Sequence, residues 1–408
     1  MHPSLWQTPR VTTTARVVSC TLFISLLSAC GSGEEGTSTA ADSQESSESG
    51  ESSESGETGA PDEAPFQIFY DAGLDAYLGT IELAEISEDG DATHYFFDLE
   101  DGPSCLRGEQ WHMSDRPGTD GGEDLVLFLQ GGGACWSDLC VAAEFVTPGV
   151  PESGMLNRGL EGNPFAAMDV VFFPYCDGSV FTGHSEVDDD EDGQPDRIHH
   201  GLINLSAGLD VAKELYPDPA RIFLAGSSAG SYGVHIGNML VRKHWPDAEI
   251  VVIADAGLGL GRPDEPGFLQ QVMGEWNTLS YFPDTCPDCA DVHITGLVDW
   301  QLQQDPNMRY AALTAYQDAV IGGVFLAQAG TAYTELLAEA ITPLAEAHPD
   351  RYTRFFWNGT LHTATSTDSA NSTVIASPFD TTVVEGVSAM QWLERLVTGD
   401  PSFGDLLQ

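Results

Sequence analysis

Cations are scarce in this sequence: 15 lysines and arginines stand against 63 aspartates and glutamates, a formal charge of −48. Nucleic acid and anionic lipid surfaces both need basic patches on a protein partner, so neither is expected. An apolar stretch long enough to cross a bilayer is also missing; the nearest is the mostly apolar run from Val17 to Ala29, which is too short. There is no second C-x-x-C to accompany Cys286-Pro-Asp-Cys289, and no thioredoxin-like context. That pair therefore reads as a small loop staple and not as half of a zinc site or a redox motif. No long internal repeat is present.

What the N-terminus does contain is Arg10 and Arg16, then the apolar run, then Leu27-Ser-Ala-Cys30. The combination resembles a bacterial lipoprotein signal peptide over residues 1–29, with Cys30 as the lipidated first residue of the mature chain; an ordinary secretory signal cleaved nearby is the alternative. Residues 30–65 are Gly, Ser, Glu and Thr with almost nothing apolar, which predicts a disordered, self-repelling tether. The tether holds only ten of the acids, so the remaining domain, residues 66–408, is strongly acidic as well. The expected address is the cell envelope, outer membrane or cell surface, with the lipid as the only membrane contact and a monomer as the expected state. With Cys20 and Cys30 set aside, six cysteines remain: Cys105, Cys135, Cys140, Cys176, Cys286 and Cys289. An even number in an exported chain reads as up to three disulfides, with about fifteen pairings open.

Apolar patterning predicts strands at Tyr77–Ile86 and Thr93–Leu99, with a turn at Glu88-Asp-Gly-Asp91 between them. Continuous apolar runs follow at Asp124–Gln130 and Asp169–Tyr175, of the kind buried on both faces of a sheet. Helix His200–Leu215, strand Ile222–Ala225, helix Ala229–Val241 and strand Glu249–Ala254 come next. Arg309–Thr314 and Tyr352–Trp357 read as strands, Ala319–Ala329 and Thr334–Ala347 as helices, and a closing helix falls near Ser388–Val397. Alternating strands and helices predict an α/β fold, a mostly parallel sheet flanked by helices with its site at the carboxyl ends of the strands.

Gly226-Ser-Ser-Ala-Gly230 has G-x-S-x-G spacing, set between a short apolar strand and a helix. That is the context of a nucleophile elbow, with Ser228 at its apex. A serine hydroxyl needs a base to take its proton and a carboxylate to orient that base. In the order this fold uses, both follow the serine. The candidate bases are His293, His348 and His362. His362 lies in a polar loop just past the last long strand and is preferred; His348 reads as a helix end. Asp255 and Asp318 both follow strands. Asp318 follows the second strand after the elbow and is preferred, leaving Asp255 as a structural or substrate-contacting residue behind the elbow and Asp305 as a surface turn residue before Pro306. The oxyanion donors are expected from the backbone of Ala229 and of Gly132 and Gly133, in the glycine run that follows an early buried strand.

Together, Leu129-Gln-Gly-Gly-Gly-Ala-Cys-Trp136, Pro174-Tyr-Cys-Asp-Gly178, His200-Gly201 with Asn204, the elbow, and the Gly-Thr-x-His of Gly359 to His362 resemble the pectin acetylesterase family, which includes the animal carboxylesterase Notum. The likeness runs from about Phe97 to Trp392. It implies an α/β-hydrolase-like single catalytic domain and a metal-independent serine carboxylesterase with Ser228, Asp318 and His362 as its triad. It also implies disulfides Cys105–Cys176 and Cys135–Cys140. Plant members usually carry Glu before the glycines and Trp after them; this chain has Gln130 and Ala134, so the rim of its acyl pocket differs. The expected substrate is an O-acylated, most of all O-acetylated, polysaccharide, with longer acyl chains on lipids or proteins as the alternative. A peptidase, and an inactive surface-displayed binding lipoprotein, are the competing readings.

A second constellation is separate. Asp188-Asp-Asp-Glu-Asp-Gly-Gln-Pro-Asp196 holds carboxylates at positions 1, 3, 5 and 9 and a glycine at 6, the spacing that wraps oxygen ligands around calcium. Position 12 is His199 where an EF-hand has Glu. A structural Ca²⁺ is expected on Asp188, Asp190, Asp192, Asp196 and the Gln194 carbonyl. His199-His200 lacks the further ligands a zinc site needs.

Overall fold

The computed structural model describes residues 64–119, 121–366 and 376–408, all within one compact unit. The signal segment, Cys30 and all but the last two residues of the tether lie outside the described residues.

Ten strands form one sheet: Leu83–Asp89 (β1), Ala92–Phe97 (β2), His112–Arg116 (β3), Asp124–Leu129 (β4), Asp169–Phe173 (β5), Arg221–Ser227 (β6), Glu249–Asp255 (β7), Met308–Ala315 (β8), Tyr352–Trp357 (β9) and Leu406–Leu407 (β10). Their order across the sheet is β1-β2-β3-β5-β4-β6-β7-β8-β9-β10. The first three pair antiparallel, and every pairing from β5 to β10 is parallel. The helices are Gln67–Asp71 (α1), Gly201–Leu215 (α2), Ala229–His244 (α3), Phe268–Glu275 (α4), Thr295–Gln304 (α5), Thr331–Ala347 (α6) and Ala389–Thr398 (α7).

Alternation along β4 shows how the apolar runs are used. Leu125, Leu127 and Leu129 face a core shared with α2 to α6, while Val126 and Phe128 face a second core closed by α7 and the loop residues Met155, Leu156 and Phe165. A strand with hydrophobes on both sides fits only between two covered faces, which is why these runs are continuous. The closing helix is fixed at both ends: Ser388 and Gln391 form a reciprocal capping box, and Gly399 takes the left-handed conformation after it. Among the described residues no helix is long and apolar enough to cross a membrane.

The structure departs from the sequence reading in four places. The first strand begins at Leu83, because turns occupy the chain from Gly73 to Gly79. Strand β3, His112–Arg116, is absent from the reading; it is short, and its buried residues include Ser114, Asp115 and Arg116, so it shows no apolar run. Residues 319–329 hold only a short wide-turn helix, Ile321–Phe325, where Gly322 and Gly323 interrupt helical propensity. Asp305 is not a surface residue: it is buried and paired with the equally buried Arg242 at 2.7 Å.

Candidate active site

Strands β6 to β9 end at or shortly before Ser228, Asp255, Asp318 and His362 in turn, as parallel sheets of this kind deliver polar residues at their carboxyl ends. The turn between β6 and α3 places Ser228 at φ 54°, ψ −114°, a strained backbone for a residue with a side chain. Two residues away on either side there is no room for a side chain. A Cβ on Gly226 would stand 2.2 Å from the Gly230 carbonyl oxygen, and one on Gly230 2.0 Å from that of Leu129. Glycine is what lets the strand, the serine and the helix come this close.

Past β9, His362 is buried, and its Nδ1 lies 2.7 Å from Oδ2 of Asp318, which follows β8. Asp318 is fully buried, and its other oxygen accepts the N–H groups of Val320 (2.8 Å) and Ile321 (3.0 Å). An acceptor locked in this way holds the imidazole in the tautomer that carries its proton on Nδ1. The other nitrogen, Nε2, is buried with no hydrogen-bond partner. His293 is engaged by a backbone group: its Nδ1 accepts the Gly261 N–H at 3.0 Å. His348 caps α6 and pairs with Asp299 at 2.7 Å.

The glycine run after β4 is a tight fit rather than a loose turn. A Cβ on Gly132 would meet the Tyr175 ring at 2.3 Å, and Gly133, at φ 89°, would meet the Val141 carbonyl oxygen. Gln130 keeps a role at the altered position: its side-chain oxygen accepts the Tyr175 N–H at 3.1 Å. Gly133 begins a hairpin, 133–142, bridged at its turn by the Cys135–Cys140 disulfide; Cys105–Cys176 and Cys286–Cys289 are bonded as well.

Gly133, Ala134, Ser228 and Ala229 share the wall of a cavity of about 730 Å³, its open mouth included. The remaining wall is almost wholly apolar, with Trp136 from the hairpin, Phe268, Val272 and Met273 from α4, Ile236 from α3 and Phe325 from the short turn. Val180 also lines it, and Val180 and Phe181 both have positive φ, at 50° and 65°. A β-branched residue in that region is an outlier that the surroundings must hold in place. Tyr175 and Asp177 do so: the Tyr175 hydroxyl oxygen accepts from Val180 N (3.1 Å), and one Asp177 carboxylate oxygen accepts from the flanking Ser179 N (2.7 Å) and Ser179 Oγ, with a longer bond from Phe181 N (3.4 Å). Burial pushes the Asp177 acid up to about 6, opposed by the hydrogen bonds it accepts. The motif Pro174–Gly178 was visible in the sequence, but the task of its aspartate was not.

Asp255 is fully buried at the end of β7. It accepts through Oδ2 from Ala364 N (2.8 Å), Thr365 N (2.6 Å) and Thr365 Oγ1 (2.7 Å), in the loop just after His362. The acidic loop lies elsewhere. There Asp188, Asp190 and Asp196 bring carboxylate oxygens within 4.8 Å of one another, and Asp192 stands outside that group.

The sequence profile of the Pectinacetylesterase family matches residues 98–275. Pectin acetylesterase 4 of Arabidopsis thaliana is 30% identical over 206 residues, 45% of this chain and 46% of that one. Palmitoleoyl-protein carboxylesterase notum1' of Xenopus laevis is 28% identical over 160 residues, 34% of this chain and 31% of that one. The matched stretch thus spans less than half the length of either relative. Among solved structures, the Wnt deacylase Notum from Drosophila superposes with a TM-score of 0.53 at 16% identity, covering 80% of this chain and 95% of that one, which shows a shared fold. The profile match contains Ser228 and the glycine loop and ends before Asp318 and His362. Residues 98–275 of the chain are thus similar in sequence to the pectinacetylesterase family, and the chain as a whole shares the fold of Notum.

Proposed function

We propose that this protein is a serine carboxylic ester hydrolase acting on substrates with an apolar acyl chain. The observation that carries the reading is Ser228 in the wall of a cavity that is otherwise almost wholly apolar. Burying a methylene contributes about 0.8 kcal/mol, so a chain of medium length gains several kcal/mol there that an acetyl group cannot. The name of the Xenopus relative, a palmitoleoyl-protein carboxylesterase, fits this reading. The name of the Arabidopsis relative favours a second one, removal of acetyl groups from a polysaccharide. The buried His362–Asp318 pair argues against a protein that binds without turnover.

In this scheme Ser228 Oγ attacks the acyl carbonyl carbon while His362 Nε2 takes its proton. Asp318 stays ionised and stabilises the imidazolium. The N–H groups of Gly132, Gly133 and Ala229 receive the charge that develops on the carbonyl oxygen. Collapse of the tetrahedral intermediate expels the alcohol, protonated by His362. A water molecule, deprotonated by the same nitrogen, then releases the acid and restores Ser228. No cofactor takes part. The acidic loop is assigned a structural Ca²⁺ outside the chemistry, and the Leu27–Cys30 motif supports an exported, lipid-anchored enzyme.

A series of p-nitrophenyl esters from acetate to decanoate tests the reading. We expect kcat/KM to rise by at least about tenfold with chain length, and Ser228→Ala to remove turnover by a factor on the order of 10⁴ or more. Release that survives Ser228→Ala overturns the mechanism; a profile that peaks at acetate favours the polysaccharide reading.

A further inference from the structure

Asp255 has no step in the scheme above, yet it is placed where burying a carboxylate is costly. It is fully buried, and its Oδ1 has no hydrogen-bond partner. Such an oxygen is expensive to keep dry, so its residue is expected to do something that an apolar side chain could not. All its bonding runs through Oδ2, to two successive backbone N–H groups and one hydroxyl, two and three residues after His362. The backbone of the same residue faces the other way: its carbonyl oxygen accepts the N–H of Ser228 at 2.8 Å. The next two residues extend that grip. Ala256 takes a positive φ of 59°, and the carbonyl of Gly257 accepts from Ser231 Oγ and His235 Nε2 in the helix behind the serine.

We infer that Asp255 is a positioning residue that ties the loop carrying the base to the strand end carrying the nucleophile, setting the distance between His362 and Ser228. Asp318 orients the His362 ring through Nδ1 but makes no bond to residues 363–365; Asp255 fixes the backbone on which the ring is mounted. Misplacing a catalytic group by about 1 Å costs on the order of a hundredfold in rate. The inference rests on the esterase reading and adds to it a residue that touches neither substrate nor proton.

The test uses the folded protein, confirmed by circular dichroism, and the ester on which the wild type is most active. Asp255→Ala is expected to lower kcat by roughly 30- to 100-fold with KM changed by less than about threefold, because acyl binding is left intact. Asp255→Asn keeps an oxygen for the two N–H groups and is expected to return kcat to within about fivefold of wild type. A merely structural role predicts neither the split between kcat and KM nor the rescue. Wild-type kcat in Asp255→Ala, or equal losses in the Ala and Asn variants, overturns the inference while the Ser228 mechanism stands. Absence of Ser228-dependent release in the wild type overturns the esterase reading and this inference with it. If Asp255→Ala yields no folded protein, Thr365→Val carries the test by removing one donor of three: kcat should fall by about three- to tenfold at constant KM, and an unchanged kcat overturns the inference.

Discussion

Ser228 belongs to two constructions at once, an elbow made by the consecutive residues Gly226 to Gly230 and a cavity walled by segments scattered between Gly133 and Leu326. In the elbow the limiting quantity is backbone approach, measured at 2.0 to 2.2 Å for the Cβ atoms that glycine lacks. Only one residue type satisfies that limit, so the constraint is written into the sequence as a pattern. In the cavity the limiting quantity is apolar volume. Phe268, Val272, Met273 and Ile236 meet it, and so would other hydrophobes of similar size, so no pattern results. The two regions should therefore answer substitution in opposite ways.

The elbow should break completely. In Gly226→Ala the new methyl must displace the Gly230 carbonyl, which is backbone and cannot swing aside. We expect a loss of about 3 kcal/mol or more, with little folded protein and no esterase activity. A thermal midpoint within a few degrees of wild type, with activity retained, would show that the turn has slack the geometry does not suggest.

The cavity should yield and change its preference. Met273→Trp adds bulk to the α4 wall without touching Ser228, Asp318 or His362. Overpacking of this kind costs about 1–3 kcal/mol, which a domain of this size tolerates. The expected readout is a truncated chain-length profile: kcat/KM on octanoate falls by about tenfold or more, and on acetate stays within about threefold. Equal losses on both esters would mean that the acyl chain does not enter this cavity.

The same contrast explains what the sequence revealed. The pairing of His362 with Asp318 was legible because parallel strands put their ends in one place, so position after a strand stands in for position in space. The long apolar strands were legible because both their faces are buried. Strand β3 was not, since Ser114, Asp115 and Arg116 find polar partners inside; Arg116, for instance, donates to Glu152 and to the Leu156 carbonyl. Asp305 looked like a turn residue because its partner, Arg242, is 63 positions away. Asp255 was seen as a residue behind the elbow, but its hold on Ala364 and Thr365 joins residues over a hundred positions apart, which no local pattern records. The cavity wall escaped for the reason already given.

The acidic loop lies between these extremes, being local in sequence like the elbow yet joined to the cavity by side chains. Of the four aspartates its spacing singles out, Asp188, Asp190 and Asp196 converge and Asp192 does not join them. Backbone N–H groups within the loop reach the same carboxylates: Asp189 N to Asp196 and Gly193 N to Asp188, both at 2.8 Å. Just beyond, Arg197 holds Asp189 through two bonds (2.7 and 2.6 Å) and Glu275 at 3.2 Å. Glu275, the last residue of α4, grips Ser137 in the hairpin that lines the cavity, at 2.7 Å to its N–H. A bound Ca²⁺ would offset the repulsion among the loop's carboxylates; without it, that repulsion loads the Arg197–Glu275 link. Because the loop is exposed and screened by solvent, the effect should be small. Replacing calcium with EGTA should lower the thermal midpoint by about 1–3 °C, leave kcat on acetate unchanged, and raise KM for octanoate by no more than about twofold. Asp190→Asn should show the lower midpoint in either buffer. Identical melting curves with calcium and with EGTA would remove the metal from the loop and leave Arg197 as its organiser. A fall in kcat on acetate would mean instead that the loop's effect reaches the elbow, and that the two constructions around Ser228 are less independent than their contacts indicate.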